Sequence, residues 1–187
     1  MKLLRTAALI LPAALLLSVT AGCETTTGPP DDGGQDFWPL ELGHRWTYHL
    51  DDGAGGESTF ELEASAAERQ WFLLSGTKHR LGWAEMDGMV LFSDRWPPPT
   101  DDGADILVYL KPPLEVGRRW PLYLDGSGPI VELVDADFTY ETPDGDWRHC
   151  YKVEINSLWM VFARGIGWIA EGYLDTEMAH LISYDFD

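Results

Sequence analysis

The sequence is short of positive charge: 13 Lys and Arg face 31 Asp and Glu, a formal charge of −18 at pH 7 over 187 residues. Nucleic acids and anionic lipid headgroups recruit basic surfaces, so this balance opposes both and sets nucleic acid aside as a partner. Motifs that carry chemistry are missing as well. The five histidines, His44, His49, His79, His149 and His180, form no His-x-His, His-Glu-x-x-His or Cys/His zinc spacing. There is no Gly-x-Ser-x-Gly elbow and no glycine-rich phosphate loop ending in Lys. Asp-Asp-Gly starts at Asp31, Asp51 and Asp101, but the EF-hand order is absent and Asp-Gly is what tight turns prefer. Paired carboxylates suffice for glycoside hydrolysis, yet their abundance here points to no particular pair. The sequence therefore names no catalytic residue, no metal and no cofactor, and it does not read as an enzyme.

Beyond the N-terminus there is also no long amphipathic helix. Aromatic residues, by contrast, are plentiful, with nine Trp, seven Tyr and seven Phe. Each aromatic ring buries a large area, so the chain has the means to pack a core in spite of its acidity. The apolar pattern has period two. Trp46, Tyr48 and Leu50 alternate with Arg45, Thr47 and His49; Phe60, Leu62 and Ala64 and later Tyr151, Val153 and Ile155 repeat it. Such alternation marks half-buried antiparallel strands, and hairpin signals at Asp52-Gly53, Asp87-Gly88, Asp125-Gly126 and Asp144-Gly145 fall between them. Leu158–Phe162 and Ile166–Ala170 are apolar on both faces and should lie centrally or line a closed sheet. The expectation is an all-β domain of ten to twelve strands, an antiparallel meander forming a curved sheet, half-barrel or barrel-like domain.

The first residues have a different layout. Met1-Lys2-Leu3-Leu4-Arg5 is basic, an apolar run extends from Ala7 to Val19, and small residues lead to Cys23. This is the order of a cleaved secretory signal, and its apolar core is shorter than the roughly 20 residues a spanning helix needs. Val19-Thr20-Ala21-Gly22-Cys23 resembles the lipobox of bacterial lipoproteins, with Thr20 where Leu is commonest. The resemblance implies cleavage before Cys23, acylation of Cys23 and attachment to a membrane through buried acyl chains. Glu24 follows Cys23 where inner-membrane lipoproteins usually carry Asp, which leans the placement towards the outer membrane. The expected division is 1–22 signal peptide, 23–36 flexible tether with an r.m.s. reach of roughly 20 Å, and 37–187 a single all-β domain. With Cys23 taken by lipid, Cys150 has no partner for a disulfide and reads as a small buried apolar residue.

An internal echo runs through the domain. Pro39-Leu40-Glu41-Leu42-Gly43-His44-Arg45-Trp46 is answered by Pro113-Leu114-Glu115-Val116-Gly117-Arg118-Arg119-Trp120. Its separation far exceeds that of solenoid repeats, so it reads as a structural device used twice: a proline-led turn, a glycine at positive φ, then a strand opened by Trp. These elements, with Pro143-Asp144-Gly145-Asp146-Trp147-Arg148-His149-Cys150 and Phe162-Ala163-Arg164-Gly165-Ile166-Gly167, resemble a broad group of uncharacterised bacterial lipoproteins and secreted proteins. That group shows P-L-x-x-G-x-x-W, P-x-G-x-[FW]-x-x-C and [FY]-A-x-G-[IV]-G motifs. The resemblance implies a β-meander and carries over no catalytic residue; Arg164 stands where the group has proline.

The functional expectation is a lipid-anchored protein of the cell envelope whose non-catalytic β-domain binds an envelope partner or supports an envelope assembly. A small-molecule or lipid carrier using the concave face of the sheet is the alternative, since small barrels can enclose a cavity, and an envelope hydrolase comes last. Trp96, in the Trp96-Pro97-Pro98-Pro99 loop, is the candidate partner-binding residue.

Overall fold

The computed structural model of the chain describes residues 37–51, 56–76, 80–98, 103 and 105–186. Cys23, the signal and tether segments, the Asp52-Gly53 turn and His79 lie outside the described residues. The described elements are all strands: β1 (Arg45–Asp51), β2 (Glu57–Glu68), β3 (Trp71–Ser75), β4 (Arg80–Met86), β5 (Met89–Ser93) and β6 (Leu107–Leu110), then β7 (Arg119–Pro121), β8 (Ile130–Thr142), β9 (Gly145–Ile155), β10 (Leu158–Ala163), β11 (Gly167–Tyr173) and β12 (Thr176–Asp185). They form one antiparallel sheet in the order β6-β5-β4-β3-β2-β1-β12-β11-β10-β9-β8-β7. Each strand therefore neighbours its successor, except at β6 and β7, while the first strand pairs with the last. The residues after β7 turn back on β6: Val108 N donates to Leu122 O at 2.7 Å and Leu124 N to Ile106 O at 2.9 Å, with Leu107 opposite Tyr123. The result is a nearly closed, barrel-like sheet, which leaves little unpaired edge to recruit other chains.

The alternation seen in the sequence decides which side chains face inward. Trp46 and Tyr48 of β1 are fully buried while Arg45 is exposed, and Leu62 and Ala64 of β2 are buried between exposed or half-buried neighbours. Their faces meet at Trp38, which precedes β1. Its ring centroid lies 4.4 Å from that of Trp83 on β4, 5.8 Å from Trp46 and 6.5 Å from Phe162 on β10. Tyr109 on β6 is also 6.1 Å from Phe162, although many strands separate them in the sheet order; only a curled sheet brings them together. A Cβ at Gly167, where φ is +104°, would stand 2.5 Å from the Trp38 ring, so glycine is what lets β11 pass the indole.

β10 and β11 are largely buried on both faces. A long hairpin, β8–β9, reaches over this side of the sheet, with Tyr140 6.4 Å from Trp159 of β10 and Trp147 6.2 Å from Tyr184 of β12, ring centroid to ring centroid. Its pairing carries three register shifts, and Asp137 and His149 at the bends take positive φ values of 55° and 53°, with His149 Nδ1 2.7 Å from Asp137 Oδ1. Bulges increase bend and twist, and here they carry the hairpin tip across to β12. There the Tyr140 hydroxyl donates to Glu177 Oε2, and His180 stands between two carboxylates, Glu177 Oε1 and Asp144 Oδ2, each at 2.8 Å. Trp147 and Cys150 are fully buried within this arm.

The internal echo is a repeat in three dimensions. Gly43 N donates to Ala64 O (2.9 Å) and Ala64 N to His44 O (2.9 Å); in the second copy Gly117 N donates to Leu133 O (2.7 Å) and Leu133 N to Arg118 O (2.9 Å). Arg45 reaches Glu63 at 3.4 Å, and Arg119 reaches Glu132 at 3.4 Å. Gly43 and Gly117 have φ values of 93° and 84°. Each copy then opens a run of six strands, β1–β6 and β7–β12, so the barrel is built from two halves of matching strand order.

Candidate functional site

At one end of the barrel an open cavity of about 700 Å³ lies between the two halves. Equivalent turns contribute to it. The β4–β5 turn supplies Asp87 and Gly88, with Glu85 just before it, and the β10–β11 turn supplies Arg164. Both are connections between the fourth and fifth strands of a half. The β6–β7 connection adds Pro112 and Leu114, β9 adds Tyr151, and Phe37 completes the lining where the chain enters the barrel.

The floor of this mouth is held by short-range chemistry. Glu85 Oε2 accepts the Trp38 N–H at 2.7 Å, fixing the incoming chain as Trp38 inserts among the aromatic rings. Phe37 meets the Tyr151 ring edge to face, centroids 5.0 Å apart and planes at 80°. The Arg164 guanidinium lies over both rings, 5.1 Å from the Phe37 centroid and 5.8 Å from that of Tyr151. Its Nη2 donates to the Tyr151 hydroxyl at 3.2 Å. Ring faces attract a cation by about 0.5–2 kcal/mol, more as water is excluded, so two rings and one hydrogen bond position the guanidinium. That hydrogen bond uses one of its five N–H donors. Arg164 makes no ion pair among the described residues, although Asp87 and Glu85 line the same cavity. Among the described residues the cavity thus carries one cation on one repeat's turn and two carboxylates beside the other repeat's turn.

Four further titratable groups lie outside the mouth. Glu171, on β11, is held above the usual carboxylate range by burial. Burial, and then the Glu171 charge, raise the phenols of Tyr48 and Tyr109. The Cys150 thiol is pushed up to about 12 by burial, against a lowering backbone hydrogen bond, which leaves it protonated and unreactive near neutral pH. Among the described residues no group of three or more His, Cys, Asp and Glu stands in metal-holding geometry.

Trp96 does not line the mouth. It sits in the β5–β6 connection, partly buried against the hydrophobic core, with a cis bond to Pro97. Cys23 lies outside the described residues. Sequence reasoning missed Phe37, Tyr151 and Arg164 as a set, because they are far apart in the chain and share no motif. The one signal was Arg164 itself, at a position where the sequence reading expected proline. Comparison of the chain with protein-family models, curated proteins and solved structures finds no match.

Proposed function

We propose that this chain is a lipid-anchored, non-catalytic binding module of the bacterial cell envelope, which engages its partner through the barrel mouth. The observation that carries the reading is that the polypeptide enters the barrel through this same mouth, Phe37 lining the cavity and Trp38 plugging the interior behind it. The tether and Cys23 precede Phe37 directly in sequence, so the anchor and the cavity belong to one end of the domain. A tether with a reach of roughly 20 Å keeps that end close to the membrane that holds Cys23. Aromatic rings fill the centre of the sheet's concave face, which favours recognition at the mouth over an apolar cargo enclosed inside. The Glu24 position favours the outer membrane as the anchoring leaflet. Nucleic acid is not among the expected partners, and Trp96 stays a secondary contact candidate on the β5–β6 connection, at the end of the strands opposite the mouth.

The test combines fractionation with crosslinking in the cell. Cys23→Ser should move the protein from the membrane to the soluble fraction. A photo-crosslinker at Val116, exposed on the β6–β7 connection beside Leu114, should give a discrete protein adduct that Arg164→Ala removes. The same probe at Leu174, exposed in the turn at the far end of β11, should give none. Membrane retention of the Cys23→Ser chain would remove the anchor from the proposal. An adduct from Leu174 alone would move the binding surface away from the mouth.

A further inference from the structure

We infer that the mouth cavity recognises a zwitterion of the amino-acid type, the free ends of an amino acid or short peptide, with Arg164 taking the carboxylate and Asp87 the ammonium. This inference rests on the reading of the mouth as the binding surface and adds the chemistry of what is bound. Three observations carry it. The first is the prepared cation. Arg164 is stacked over Phe37 and Tyr151 and fixed by the Tyr151 hydroxyl, but no carboxylate of the described chain neutralises it. A guanidinium held in this way offers paired N–H donors, the geometry that receives a carboxylate.

The second observation is the charge opposite. Asp87 is exposed at the β4–β5 turn, the position in the first half that Arg164 holds in the second. Glu85, two residues earlier, spends one oxygen on the Trp38 N–H. The repeat therefore puts an acid and a base on equivalent turns across one cavity without letting them pair. A ligand with both signs of charge satisfies both, whereas a phosphate dianion would meet Arg164 with two carboxylates facing it in a strongly acidic protein. The third observation is the wall between the charges. Phe37, Leu114, Pro112 and Tyr151 offer apolar surface to a stem, and the cavity of about 700 Å³ falls in the range of small-molecule sites, about 300–1,000 Å³.

The experiment is isothermal titration calorimetry on the full chain, processed by its host and held in detergent. The probes are Ala-Phe, its N-acetyl form, its C-terminal amide and free phenylalanine. Ala-Phe should bind at least tenfold more tightly than either blocked form. Arg164→Ala should erase the preference for a free carboxylate while keeping that for a free amine, and Asp87→Asn should do the reverse. These preferences are ratios between ligands on one preparation, so a partly unfolded variant still reports them; Arg164→Lys should keep the charge preference in weakened form. Free phenylalanine binding as well as Ala-Phe would assign the site to amino acids, and weaker binding to peptide ends. Equal binding of parent and blocked forms, or no binding by any probe, overturns the inference. If the Val116 crosslink persists in that case, the mouth remains the binding surface for other chemistry; if it is lost as well, both readings fall.

Discussion

Burial holds the Glu171 carboxyl above the usual carboxylate range, and no hydrogen bond or ion pair supports its charge among the described residues. The consequence for stability follows from linkage. The folded state keeps this proton more tightly than the unfolded chain does, so the group costs nothing below its ordinary value of 4.5. Stability is then lost as pH rises through the raised folded value. Glu171→Gln removes the charge and should stabilise the protein at pH 7.5 by roughly 1 kcal/mol, the low end of what an uncompensated buried polar group costs. At pH 4 the two proteins should unfold nearly alike. Urea denaturation at both pH values checks this, and an equal effect at the two values would show that the carboxylate charge is not the cause. Little of this was legible in the sequence. Glu171 follows Gly167-Trp168-Ile169-Ala170 and reads as one more acidic residue of a strand; only closure of the sheet sets it beside Tyr48 and Tyr109. Arg164 is similar, since nothing local reveals that Phe37 and Tyr151 will stack beneath it.

At the scale of elements, the sequence was informative wherever the structure is regular. Period-two alternation located β1, β2 and β9, and Asp87-Gly88 and Asp144-Gly145 lie at the hairpin turns of β4–β5 and β8–β9. The bent arm was not legible, because its bulges use Asp137 and His149 in place of glycine, and a register shift breaks the alternation that identifies a face. What secures the arm is the group Tyr140, Glu177, His180 and Asp144, joined across strands that are not neighbours in the sheet. His180 is buried, and its removal takes a partner from Asp144 and leaves Glu177 the Tyr140 hydroxyl. His180→Ala should cost about 1–3 kcal/mol, the range for removing one partner of a hydrogen-bonded group, and should loosen the arm before the barrel. Cys150 reports that difference. In the parent protein its buried thiol should resist iodoacetamide at pH 8 and react fully in denaturant. In the variant it should become reactive at denaturant concentrations too low to shift tryptophan fluorescence. Simultaneous loss of thiol protection and of fluorescence would mean that arm and barrel unfold as one unit.

For the molecule as a whole, the sequence disclosed the repeat without its extent. Two matching segments were visible, but the six strands that follow each share a topology and little residue pattern, so only the pairing of β1 with β12 and the return of residues 122–124 onto β6 turn the echo into two half-barrels. The halves then diverge where they are used. One turn bears Asp87 and its counterpart Arg164, and only the second half lengthens its β8–β9 hairpin into an arm. Where they remain alike, energetics should be alike too. Gly43 and Gly117 both hold positive φ, both donate to the neighbouring strand, and a Cβ at either would meet nothing within 4 Å. Conformational strain is therefore the only penalty for alanine at these positions, about 1–2 kcal/mol each for a non-glycine residue in the left-handed region. Gly43→Ala and Gly117→Ala should destabilise by equal amounts to within about 0.5 kcal/mol, and the double variant by their sum, as expected of distant independent sites. Equilibrium denaturation of the three proteins measures this. A large inequality would show that the halves share topology without sharing a load, and a marked excess in the double variant would show that both openings close the barrel in a single cooperative step.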